Sequence, residues 1–169
     1  MTSSAPEARA QTLRFQGAAN TLIRGVLRTP LLCRLAGRRL VELHVIGRSS
    51  QRRYRIPVAY FRDGDTLLIG TPFAWGRNLR TGEPITMRLK GRLRVADVEV
   101  ITDERGVTEA YRLMARDNHS FASFNSIGFD PSGEPLADDL RLAWAAGARA
   151  FRLTPRTENS GHTRRSPTP

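Results

Sequence analysis

The chain has 169 residues, 40% of them hydrophobic, and a formal charge of +11, values that suit one domain with a single core. Cys33 is the only cysteine, and His44, His119 and His162 lie far apart without ligand spacing, which excludes disulfides within the chain and sets aside a metal site. No apolar run approaches the length of a membrane span, and residues 1–10 carry no apolar h-region, so the expected location is cytoplasmic.

In chain order, residues 1–12 are polar and rich in Ser and Thr and read as a disordered tail, as do residues 157–169; the domain is expected over 13–156. Between residues 13 and 35, Ala19, Leu22, Ile23, Val26 and Leu27 recur at helical spacing with arginines between them, and Pro30 should break or kink the helix. Such a basic amphipathic helix packs on the domain or touches an anionic membrane surface. Val41, Leu43 and Val45 alternate along Leu40–Ile46, as in a half-buried strand, and residues 54–61 repeat the pattern. Asp63-Gly64 is a hairpin signal, because Gly accepts the positive φ of a tight turn. Strands follow at Thr66–Thr71, Ile85–Leu89 and residues 93–102, with Gly91 turning between the last two. Asp103 is placed to cap a helix whose stripe is Val107, Ala110, Tyr111 and Met114. After the Asp130-Pro131-Ser132-Gly133 loop come a short helix at residues 138–146 and a last strand at 148–154. Five or six mainly antiparallel strands with peripheral helices make a small barrel of α+β character.

Charge is concentrated in the middle of the chain. Between Arg48 and Arg94 stand ten arginines and Lys90 against Asp63, Asp65 and Glu83. Guanidinium forks on strands and their connecting loops suit phosphate and carboxylate oxygens. Nucleic acid is not expected as the partner, because no recognised motif accompanies the arginines.

Three segments in this order, Leu43-His44-Val45-Ile46-Gly47-Arg48-Ser49-Ser50, Ile56-Pro57-Val58-Ala59-Tyr60-Phe61-Arg62-Asp63-Gly64-Asp65 and Trp75-Gly76-Arg77-Asn78-Leu79-Arg80-Thr81-Gly82, resemble the deazaflavin-dependent nitroreductase family. That family belongs to the FMN- and coenzyme F420-binding split β-barrels. The likeness runs from about Thr21 to Pro155. It implies a mainly antiparallel split β-barrel, usually a homodimer, that passes a hydride from reduced coenzyme F420 to a quinone, enone or nitro compound. By the resemblance, the loop at Arg48 and Ser49 grips the phosphate-bearing tail of the cofactor. Ser49 stands where the family has a second basic residue, with Arg52, Arg53 and Arg55 in the same loop and strand to supply charge. Pro57 and Val58 lie along the ring. Trp75 and Asn78 match a Trp-x-x-Asn-Leu element that opens a short helix, flanked by Arg77, whose N-terminus would face the anion. His119 is the candidate proton donor, with Phe121, Phe124 and Asn125 beside it where the family has tyrosines.

No Ser-His-Asp set, Cys-His set or carboxylate pair stands out in the sequence, so catalysis would come through a bound cofactor. FMN in place of F420, a non-catalytic cofactor or haem carrier, and a basic nucleic-acid-binding barrel stay open as alternatives.

Overall fold

The computed structural model describes residues 39–156; the expected helix at 13–35, its membrane contact and both expected tails lie outside them. Seven strands, β1 (Leu40–Ile46), β2 (Arg53–Ala59), β3 (Phe61–Asp63), β4 (Thr66–Thr71), β5 (Ile85–Leu89), β6 (Arg92–Ile101) and β7 (Arg149–Pro155), form one sheet. Three helices, α1 (Glu104–Asp117), α2 (His119–Phe124) and α3 (Ala137–Ala145), and a 3-10 turn at Ala74–Asn78 complete the described chain.

All pairings are antiparallel, in the order β2-β1-β5-β6-β7-β4-β3. β2 and β3 are joined through the single residue Tyr60 yet sit at opposite edges of the sheet. A flat sheet cannot bring its first and last strands within one residue of each other, so this one curls into a half-barrel. The fold is α+β with a split-barrel-like sheet, as expected.

The single strand expected over residues 54–61 is therefore two. Tyr60 is buried and its amide still donates to the Arg39 carbonyl at 3.2 Å, after which Phe61 joins β4 instead. Period-two alternation runs through Tyr54, Ile56, Val58 and Tyr60 without a break, so the pattern carries no mark of the crossing.

Two cores result. Inside the curl, Val41, Leu43, Val45, Ile69, Met87, Val98, Phe151 and Leu153 meet. On the outer face of β4 and β7, Leu68 and Ala150 are covered by Val107, Ala110, Tyr111 and Met114 of α1, the stripe expected from the sequence, with Ala122 of α2 and Leu140 of α3. Asp103 caps α1 as expected, its side chain accepting the Gly106 amide at 2.8 Å. Gly70 makes the helix contact close: a Cβ there would lie 2.7 to 2.9 Å from Met114, Tyr111 and Phe121. Among the described residues no helix is long and apolar enough to cross a membrane.

Candidate functional site

Where the sheet fails to close, a cavity of about 510 Å³ opens between the free side of β2, the end of β4 and α2. Its β2 wall is Ile56, Pro57, Val58 and Ala59, with Leu40 of β1 beside them. The second wall runs from Gly70 through Thr71, Pro72 and Phe73 to Trp75, and α2 with its two caps, Asn118 to Asn125, supplies the third. Among the described residues no Asp, Glu, Lys or Arg lines it, and His119 is the only ionisable side chain that does. Such a space accepts an apolar, uncharged body and turns charge away to its mouth.

Each wall is held locally. Thr71 is buried, and its hydroxyl accepts the Phe73 amide at 3.1 Å, which turns the chain out of β4. Gly76 is buried with Phe151 and Thr71 at 2.9 to 3.3 Å from where a Cβ would be, so the 3-10 turn sits directly on the core and Trp75 stacks over Phe151 at 6.3 Å. Asn118 caps α2 by accepting the Ser120 and Phe121 amides at 3.0 and 3.2 Å. At the mouth, Phe73 and Phe124 meet edge to face at 5.8 Å, and Phe124 stays 46% exposed. The ring of His119 lies over Phe129, centroids 4.7 Å apart.

Pro57, Val58, Trp75 and His119 thus come together around one space, with Phe121, Phe124 and Asn125. Arg48, Ser49, Arg53, Arg55, Arg77 and Asn78 do not line it. Their places differ from one another. The Arg48 amide donates to Asn78 Oδ1 at 3.0 Å and is thereby used, while the exposed Arg48 guanidinium pairs through one nitrogen with Glu83 at 2.8 Å. Gly47 and Arg52 close the loop further through an amide-to-carbonyl bond of 2.8 Å. Asn78 Nδ2 donates to the Trp75 carbonyl at 2.9 Å, so this residue ties the 3-10 turn to the β1–β2 loop.

The exposed helix start expected at Gly76 to Asn78 is absent: Gly76 is buried with its amide on the Phe73 carbonyl, and Asn78 ends the turn instead of opening it. His119 is the first residue of α2, and the capping role belongs to Asn118. Arg53 and Arg55 are exposed on the same face of β2 as Pro57, two and one alternate positions away from it, and neither pairs with a carboxylate among the described residues. Arg77 is exposed on the 3-10 turn, next to Asn78.

Ser120 and Ser123, three residues apart on α2, line the cavity and were not expected to. Their signal in the sequence is Asn118 followed by a short run with no Gly or Pro, which marks a capped turn of helix. No protein-family model matches the chain, and no curated protein matches it.

Proposed function

We propose that the chain is an oxidoreductase that holds reduced coenzyme F420 and serves hydride transfer to an electron-poor acceptor such as a quinone, enone or nitro compound. One observation carries the reading: three residues placed at the cofactor by the sequence resemblance, Pro57, Val58 and Trp75, line one cavity of about 510 Å³ together with the candidate proton donor His119, and no Asp, Glu, Lys or Arg among the described residues lines it. When bound, the reduced deazaflavin supplies the hydride.

The chain's own residues do the rest. Pro57, Val58 and Trp75 offer apolar surface that displaces water from a flat ring. Arg53 and Arg55, on the strand face that continues from Pro57 out of the cavity, attract the phosphate and glutamate charges of the tail. His119, the only ionisable group in the lining among the described residues, is the proton donor to the reduced acceptor. Because Arg48 is engaged by Glu83 and Asn78, anion binding moves from the Gly47–Arg48 loop to β2.

Titration of the purified chain with F420 and with FMN, followed by absorbance and fluorescence, tests the reading. F420 should bind more tightly than FMN, and the loaded protein should reduce a quinone. Tighter binding of FMN moves the chain to the flavin branch, and binding without turnover on any acceptor makes it a carrier.

A further inference from the structure

His119 is the first residue of α2 and is exposed, and among the described residues neither of its ring nitrogens takes part in a hydrogen bond or ion pair. An exposed side chain without such a bond samples several rotamers. Here one face of the imidazole is covered. The Phe129 ring lies 4.7 Å away, centroid to centroid, at 28° to it, an offset stack that fixes the plane of the imidazole at the cavity wall.

Phe129 is half-buried and is held in turn by a loop that closes on itself. Phe129 and Pro135 form an isolated antiparallel bridge, and between them the Asp130 amide donates to the Glu134 carbonyl at 2.9 Å and the Gly133 amide to the Asp130 carbonyl at 3.0 Å. The Asp130 carboxylate accepts the Ser132 hydroxyl at 2.6 Å and the Ser132 and Glu134 amides at 2.8 and 3.0 Å. These bonds hold its carboxyl below the usual carboxylate range. Their contribution is complete above the ordinary carboxylate value and is lost only as pH falls through the lowered one, so the loop stays closed while an imidazole titrates. Arg116 of α1 pairs with Glu134 at 3.4 Å, and Asp139 of α3 accepts the Gly128 amide at 2.8 Å. Asp117, next to the α2 cap, pairs with Arg39 at 3.0 Å. Each of these carboxylates is engaged away from His119, which leaves the orienting of the imidazole to the stack.

We propose that Phe129 is a positioning residue, which holds the His119 imidazole at the cavity wall in the orientation from which it gives up its proton. The proposal rests on the proton-donor role of His119. In that step an N–H bond of the imidazolium breaks, its proton joins the anionic acceptor left by hydride addition, and the neutral imidazole takes a proton back from water. Proton transfer needs the heavy atoms within hydrogen-bond reach, and a misplacement of about 1 Å costs on the order of a hundredfold.

The test compares the full chain with its His119→Gln, Phe129→Leu and Phe129→Tyr variants at equal concentrations of folded protein. The ring-proton resonances of His119, assigned by their loss in His119→Gln, report the stack without any cofactor. They should lie upfield of those of a free imidazole and move downfield in Phe129→Leu. Quinone reduction by reduced F420 reports the use made of the stack. In wild type, kcat should fall as pH rises through the imidazole range. Phe129→Leu should lower kcat about ten- to a hundredfold, leave the KM for reduced F420 nearly unchanged and lose that pH step. Phe129→Tyr, which keeps the ring, should recover most of both. If the resonances move in Phe129→Leu while kcat and its pH profile do not, the positioning role falls, and an impaired His119→Gln leaves the donor role standing. Resonances that do not move in Phe129→Leu overturn the stack and the proposal together. Full activity of His119→Gln, or no turnover in wild type, removes the donor role and the proposal with it.

Discussion

Asn78 has two candidate roles, and its contacts choose between them. Its side chain joins the Arg48 amide to the Trp75 carbonyl, at 3.0 and 2.9 Å, and does not line the cavity. Each such bond contributes about 0.5 to 1.5 kcal/mol, so Asn78→Ala should cost about 1 to 3 kcal/mol. Cofactor affinity per folded molecule should stay where it was. Denaturant unfolding and a binding titration on the same preparation check both halves. A tenfold fall in affinity with little loss of stability would return Asn78 to the binding site, as the sequence resemblance had it.

The elements that were legible in the sequence are those with a pattern of their own. Leu40–Ile46 and Ile85–Leu89 alternate cleanly, Thr66–Thr71 is a short apolar run straight after the Asp63-Gly64 turn, and Asp103 ahead of the Val107 stripe announces α1. What was not legible depends on partners far away in the chain. The crossing at Tyr60 needs the curl of the whole sheet, and the engagement of Arg48 needs Glu83, which is 35 residues on. The cavity wall on α2 needs a helix of only six residues, too short to show a period.

The junction of α1 with β4 is where an element-scale prediction is sharpest. Tyr111 is fully buried against Gly70 and sits edge to face with Phe121 at 5.1 Å, and its hydroxyl has no hydrogen-bond partner among the described residues. An unpaired buried hydroxyl costs about 1 to 3 kcal/mol, so Tyr111→Phe should leave stability at neutral pH unchanged or raise it. Burial also pushes the phenol's ionisation above its ordinary value. The folded state then keeps a proton that the unfolded chain gives up, so the contribution is complete below the unfolded value near pH 10 and is lost as pH rises past it, by up to about 1.4 kcal/mol per pH unit. Tyr111→Phe should flatten that alkaline loss in melts taken between about pH 9 and 11. A neutral-pH destabilisation above about 1 kcal/mol would mean that the hydroxyl has a partner after all.

At the scale of the whole molecule, charge and cavity are separated. The chain carries +11, yet among the described residues no Lys or Arg lines the cavity, and Arg53 and Arg55 leave it along one face of β2 without carboxylate partners there. On the proposed function, this arrangement would hold an anionic tail in water and a ring out of it. Exposed charges act over a screening length of about 10 Å at 0.1 M salt and about 3 Å at 1 M, so tail binding should fade as salt rises while ring binding should not. F420 affinity is expected to drop steeply over that range, and the affinity of a chromophore without a tail to stay nearly flat. Arg55→Glu should weaken F420 binding by about one to two powers of ten and reduce its salt dependence. Arg48→Glu should do less, because Arg48 does not line the cavity and part of its charge is offset by Glu83 at 2.8 Å. Titrations of both variants at low and high salt decide the matter: if Arg48→Glu is the more damaging of the two, the anion site lies in the Gly47–Arg48 loop and the bond to Glu83 gives way when the cofactor arrives.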